Sequence, residues 1–433
     1  MKFRNVALLG ITAALALGVT GCATNNPGSG TSGGDNTSPA SVTLTLWHNG
    51  TGDKGPAYWE KVVSDFETAN PGVTINITIV QNEDYDGKLQ TAMLANNTPD
   101  IFLQRGGGKL ADQVAAGKVL DITDSIDPTV KSQIGGGFAT DSVDGKIYAM
   151  PMSIQPEGFW YSKDLFQAAG ITSTPTTMAE LSDAVTKLQA SGVYGIALGA
   201  KDAWPAAHWF YQFALRQCTQ SEVQNLATGG MTDPCWLAAL QSLADFNATN
   251  PWNDGFLTTV GQQGAGSSSG LVANHKAGME LMGAWDPGVI GGLTPDKQNL
   301  PDLGFFPFPA VDGGKGDPSA LMAGSDAWSC SNTAPEPACV NFLNFIGQTP
   351  QQQGYATAFS TIPANPTAAS VVSDPATQAA AQALSGSAYT LLWFDSALGQ
   401  DQGNGINQAV VALLAGQTDP AGALKAMQTA LAG

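Results

Sequence analysis

Residues Val42–Ile79, VTLTLWHNGTGDKGPAYWEKVVSDFETANPGVTINITI, decide the fold class. Val42, Leu44 and Leu46 alternate with Thr43 and Thr45, the period of a strand. Pro56 then opens a helix whose Trp59, Val62, Val63 and Phe66 stand at i, i+3, i+4 and i+7, one apolar stripe. Asn70-Pro71-Gly72 ends it. Val73, Ile75, Ile77 and Ile79 alternate with Thr74, Asn76 and Thr78 as a second strand. A helix near Gly87–Ala95, stopped by NNTPD, leads to a third strand at Ile101-Phe102-Leu103. Strands alternating with helices of this length imply right-handed βαβ units and a mostly parallel sheet. Such sheets bind ligands at the carboxyl ends of their strands. The loops there are WHNGTGD, QNEDYDG and QRGGGK.

Upstream, the chain is of another kind. Lys2 and Arg4 precede Val6–Val19, an apolar run too short to cross a bilayer comfortably but right for a signal peptide. The following Val19-Thr20-Gly21-Cys22 resembles the lipobox of bacterial lipoproteins, in which the cysteine is acylated and becomes the mature N-terminus. That resemblance implies a signal peptide at 1–21 and lipidation at Cys22. A two-chain lipid anchors stably where one chain does not, at roughly 0.8 kcal/mol per buried CH₂. Thr24–Ser41 holds mostly Gly, Ser, Thr, Asn and Pro, so 22–41 reads as a lipid-anchored flexible linker.

Composition constrains what is tethered. About 390 residues remain, suited to two domains of ordinary size, and no other segment approaches a membrane span. The leader carries two cations and no anions, which leaves 16 Lys+Arg against 36 Asp+Glu. A chain that acidic is repelled by nucleic acid and by anionic lipid, so the lipid anchor is the only membrane contact expected. Only 12% of residues are charged, which favours neutral, hydroxyl-rich partners. Beyond Cys22, four cysteines fall into sequence-local pairs, Cys218 with Cys235 and Cys330 with Cys339. That is the expected pairing, although four cysteines permit three connectivities. No CxxC spacing occurs and the three histidines are scattered, so neither a metal site nor a cofactor is expected.

Several pieces carry a family resemblance. LTLWHNG followed by an amphipathic helix and an N-P-G-V turn resembles the opening of the sugar-binding lipoproteins of ABC importers. These belong to the extracellular solute-binding family that includes maltose-binding protein. TPDIFLQRGGG resembles the family's third strand and loop, and PEGFWYSKDLFQAAGI the segment past its first hinge. GMELMGAWDP resembles a binding loop, and GSDAWSCSNTAPEPACVNFLNFI the second crossover. No single motif is decisive; their order along residues 42–433 is. The resemblance implies an α/β, two-lobed periplasmic-binding-protein-like fold with an interlobe cleft and crossing hinge strands. The lobes would be 42–151 plus 320–358 and 152–319 plus 359–433, the second mainly helical around a smaller sheet.

Sugars present C–H faces and a belt of hydroxyls, so a site needs aromatic platforms and bidentate polar side chains. Trp204 in KDAWPAAHW, Trp285 in GAWDPG and Trp393 in LLWFDSALG sit beside turn residues, and the resemblance implies that they stack on sugar rings. Trp59 and Trp160 read as core. The polar candidates are His48, Asn49, Asp84, Gln104, Arg105, Gln155, Asp286, Asp326 and Asp395. Gln104 and Arg105 stand where maltose-binding relatives often carry an aromatic residue, which implies a hydrogen-bonding edge instead. His208 reads as a packed or surface histidine.

The implied function is capture of a neutral di- or oligosaccharide by cleft closure, for delivery to permease subunits driven by a separate ATPase; no GxxxxGK[ST] sequence occurs in this chain. GFWYSKDLF and AWDP resemble relatives that take xylo-oligosaccharides or other β-linked disaccharides. The protein is expected to be an exported, lipid-anchored monomer and not an enzyme. Two alternatives stand beside this: a secreted glycoside hydrolase using Asp286 and Asp395, and a binding protein for a non-sugar solute.

Overall fold

The alternation in Val42–Ile79 forms two parallel strands, Val42 opposite Val73 through His48 opposite Ile79, with the helix Lys54–Ala69 between them. The helix starts two residues before Pro56 and buries Trp59, Val62, Val63 and Phe66 along the expected stripe. Trp59 packs against Trp328 with ring centroids 4.6 Å apart. The computed structural model describes residues 41–52 and 54–432. The signal peptide, Cys22 and all but the last residue of the linker lie outside the described residues.

Twelve strands occur among the described residues: β1 Val42–His48, β2 Val73–Ile79, β3 Ile101–Gln104, β4 Ser142–Val143, β5 Lys146–Ile147, β6 Met150–Ser162, β7 Tyr194–Ala197, β8 Ala277–Gly283, β9 Leu303–Phe306, β10 Leu321–Cys330, β11 Ile362–Pro363 and β12 Thr390–Leu391. β4 and β5 form a separate hairpin. The other ten share one sheet, ordered β2-β1-β3-β10-β6-β8-β7, with β9 and β11 against β6 and β12 against β10. The sheet is mixed rather than mostly parallel. β1 pairs in parallel with β2 and β3, and β7 with β8, but β3–β10, β10–β6 and β6–β8 are antiparallel. The antiparallel ladders all come from β6 and β10, which run between the two halves of the molecule.

β6 pairs with β10 through its first half and with β8 and β9 through its second. β10 does the reverse, from β12 at Leu321 to β3 at Cys330. The buried side chains divide accordingly. One core runs from Leu44 to Met152 and then from Trp328 to Tyr355. A second gathers Phe159, the helix Trp204–Gln217 and the C-terminal helices, and a third packs Trp160 with Met282, Leu303 and Phe305. Trp59 and Trp160 are both fully buried. These cores define an N-terminal and a C-terminal lobe on either side of the crossing strands.

Disulfides join Cys218 to Cys235 and Cys330 to Cys339, with Cα atoms 5.1 and 6.1 Å apart. The first ties the end of the helix Trp204–Gln217 to the helix Pro234–Asn247. The second ties the end of β10 to the helix Glu336–Ile346. Among the described residues, no helix is long and apolar enough to cross a membrane, and no group of three or more His, Cys, Asp or Glu is placed to hold a metal ion.

Candidate ligand-binding cleft

Between the lobes lies a cavity of about 840 Å³. Its C-terminal-lobe wall is aromatic. Trp204 begins the helix Trp204–Gln217, Trp285 follows β8 and Trp393 follows β12, so three separate loops deliver the rings. Trp285 stands edge-on to both others, with centroids 6.0 Å from Trp204 and 5.3 Å from Trp393. Two glycines make room. A Cβ on Gly283 would collide with the Trp285 ring, and one on Gly324 with the Trp393 ring. The backbone can approach these indoles closely only where a side chain is lacking.

The N-terminal-lobe wall is polar. The stretch QNEDYDG is not a loop but the start of a helix, Asn82–Leu94, five residues earlier than Gly87. Acidic Glu83 and Asp84 in its first turn suit the positive end of the helix dipole. Helical periodicity turns Asn82, Glu83, Asp86 and Gln90 to the cavity. Asp86 accepts from Arg105 Nε at 3.3 Å and from Lys109 Nζ at 2.7 Å. Burial would raise the Asp86 carboxyl, but Lys109 and Arg105 outweigh it and hold it well below the usual carboxylate range. Arg105 also donates to Asn82 Oδ1 at 2.7 Å, and Asn49 Nδ2 reaches that oxygen at 3.0 Å.

At the floor, the crossing strands contribute Gln155 and Asp326. Gln155 Nε2 and the Tyr355 hydroxyl both donate to Asp326 Oδ2 at 3.2 Å. Burial raises the Asp326 pKa, and the Arg105 charge opposes that rise. Across the mouth, Gln263 of the C-terminal lobe donates to Glu83 of the N-terminal lobe. Glu83 is raised by burial and further by Asp202 on the opposite wall.

Eight of the twelve sequence candidates line the cavity: Asn49, Arg105, Gln155, Trp204, Trp285, Asp326, Trp393 and Asp395. Four do not. His48 ends β1 on the same face as Leu44 and Leu46, and it stacks on Trp59 with centroids 5.5 Å apart. Burial lowers its pKa to about 4, and its Nδ1 accepts from the Gly50 amide at 3.1 Å. Asp84 lies on the outer face of its helix and pairs with Lys88 at 3.0 Å. Gln104 is the buried last residue of β3, and it donates to Gln113 at 2.8 Å. Asp286 turns into the C-terminal lobe toward Glu280 and accepts from Ser269 at 2.8 Å. Asp286 and Asp395 therefore do not face one another, and the carboxylate pair of a glycosidase is not formed.

His208 is packed, as its apolar helix implies, and it also lines the cavity between Trp204 and Trp393. Asn82, Asp86, Lys109 and Asn407 also line it and were missed. Reading QNEDYDG as helix would have exposed the first two, since Tyr85 and Leu89 mark its buried face.

A two-lobed α/β protein with crossing strands, one aromatic wall and one hydrogen-bonding wall is built to enclose a solute. The chain belongs to the family of bacterial extracellular solute-binding proteins, whose family model matches residues 49–353. Members of that family bind solutes and are not enzymes. A binding-protein relative from Brucella abortus is 30% identical over 203 residues, which is 46% of this chain and 48% of that protein. The chain thus spans about half the length of the relative it matches there. A structure from work on xylan utilization by the thermophilic bacterium Caldanaerobius polysaccharolyticus is 26% identical, covers 90% of this chain and 99% of its own, and superposes with a TM-score of 0.83. A chitin oligosaccharide binding protein is 27% identical over 91% of this chain and all of its own, with a TM-score of 0.80.

Proposed function

We propose that this chain is the substrate-binding subunit of an ABC sugar importer and captures a neutral di- or oligosaccharide, with xylo-oligosaccharides and other β-linked disaccharides the first candidates. The observation that carries this reading is the convergence of Trp204, Trp285 and Trp393 on one cavity, opposite hydrogen-bonding side chains from the other lobe. Indole faces suit the C–H faces of pyranose rings, and Arg105, Asn49, Gln155, Asp326 and Asp395 suit hydroxyls. The relatives connected with xylan utilization and chitin oligosaccharides support the substrate class.

Contacts from both walls form together only when the lobes meet, so ligand favours the closed form by differential affinity. The closed protein docks on permease subunits, and a separate ATPase supplies the energy. Acylated Cys22 and the linker keep a monomeric body at the outer face of the cytoplasmic membrane, which raises its effective concentration at the permease. The lobes of the proposal are 42–151 with 320–358 and 152–319 with 359–433.

Calorimetry of the purified protein against xylo-, gluco-, malto- and chito-oligosaccharides tests this. Binding of one or more of these series at micromolar affinity is expected. Failure of all four would remove the carbohydrate assignment.

A further inference from the structure

Glu157 is a fully buried carboxylate on β6. Two residues of the helix Trp204–Gln217, one turn apart, occupy its oxygens: His208 Nδ1 bonds Oε1, and Gln212 Nε2 donates to Oε2 at 2.7 Å. No lysine or arginine pairs with Glu157 among the described residues. A carboxylate buried this deeply calls for hydrogen-bond donors or a counter-charge in contact. The imidazole of His208 is the group in place to supply it. Its ring lies flat on Trp393, with centroids 5.5 Å apart and planes 7° apart, and its centroid is 5.1 Å from that of Trp204. Two aromatic rings and the contact with Glu157 thus fix its orientation.

With Nδ1 committed to Glu157, Nε2 is the remaining polar edge of the ring. It has no protein partner among the described residues, and unlike Nε2 of His48 it is not sealed from solvent. His208 lines the same cavity as the three tryptophans. We propose that Glu157 holds His208 as an imidazolium whose Nε2–H is presented to a sugar oxygen in the cleft, making His208 a specificity-determining donor. This rests on the sugar-binding reading above.

An imidazolium donates from both nitrogens and accepts from neither, so it selects a ligand oxygen that can accept. The titratable groups that face it are Glu157 from β6, Asp395 from the segment after β12 and Tyr211 from its own helix. Burial by itself lowers the His208 pKa; Glu157, and behind it Asp395, outweigh burial and raise it. The donor is therefore present at low pH and lost as pH rises through the His208 pKa. Sugar affinity should follow the same course, falling about tenfold to a hundredfold, the worth of a hydrogen bond to a charged group.

The test joins two measurements on the purified full-length protein. The chain has three histidines, so imidazole NMR signals can be assigned with His208→Gln and titrated without ligand. His208 should titrate above the ordinary 6.5, and its Nε2 signal should shift on adding xylotriose or chitotriose. Calorimetry with the same sugars between pH 5.5 and 9 should show affinity falling with pH in the wild type and a flat profile in His208→Gln. In Glu157→Gln the midpoint should move to lower pH. A His208 that titrates at or below 6.5 without ligand would overturn the ion pair. A bound sugar that leaves its signal unmoved, or an equal pH profile in His208→Gln, would overturn the donor role alone. Failure of the wild type to bind any of the xylo-, gluco-, malto- and chito-oligosaccharides would overturn it together with the proposed function.

Discussion

Replacing Asp286 with asparagine should change how stability depends on pH. Asp286 and Glu280 are both fully buried, and Ser269 donates to Asp286 at 2.8 Å and lies 3.4 Å from Glu280. No cation is bonded to either carboxyl among the described residues. Burial pushes the Asp286 pKa from the ordinary 3.8 up to about 7. Burial also raises Glu280, and the neighbouring Asp286 charge adds to the rise. Between about 3.8 and about 7 the native protein therefore holds a proton that the unfolded chain has released. The native state binds more protons there, so stability falls as pH rises through that window. At about 1.4 kcal/mol per pH unit, the loss attributable to Asp286 is on the order of 4 kcal/mol. That is a large part of a typical folding free energy of about 5–15 kcal/mol. Urea denaturation at pH 5, 6, 7 and 8 reads the part of it above pH 5, about 3 kcal/mol. The wild type should weaken steadily, while Asp286→Asn should lose the share of the slope due to Asp286, keep the share due to buried Glu280, and be the more stable protein at pH 8. Superimposable pH profiles for the two proteins would refute the assignment of the buried proton.

Three further outcomes are expected. Trp393→Ala removes a platform and should weaken oligosaccharide binding by about thirtyfold or more, in line with truncation of a buried aromatic anchor, as read by calorimetry. Gly324→Ala leaves the indole intact but drives a methyl group into its ring. It should shift the Trp393 fluorescence and weaken binding at least tenfold, whereas an unchanged affinity would show that ring placement is not critical. Cys330→Ser opens a loop of sequence separation 9 and should cost about 2.5 kcal/mol in chemical denaturation; Cys218→Ser, with separation 17, should cost about 3 kcal/mol.

The parts of the fold visible in the sequence were those in which burial repeats with a period. Val42–Ile79 shows both periods cleanly because each element has one wet and one dry face. The strand β6 does not, since both of its faces are covered along nearly its whole length and no alternation survives. The helix Asn82–Leu94 was hidden by Gly87 and by four polar residues at its start. A loop gives no direction to its side chains, whereas this helix turns Asp86 to the cavity and Asp84 away from it. The tryptophans were legible as cavity residues because large rings beside glycine and proline are poorly explained by a core. Polar neighbours carry no such signal. Asp286 and Asp395 each lie one or two residues beyond a cavity tryptophan, yet one turns inward and the other faces the cleft. His208 looked like packing because it sits in an apolar helix. Its significance comes from Glu157, fifty-one positions away.

The pairing between β6 and β10 slips between Asp326 and Ala327. An irregularity of this kind leaves backbone groups unpaired and lets a strand bend locally. Beyond it, toward Cys330, the strand is tied by a disulfide, and the irregularity itself stands beside Asp326, a carboxylate that lines the cavity. A rocking of the lobes that bends the strand at this irregularity would act beside the spot a guest molecule touches, so occupancy and flexure would meet at one joint.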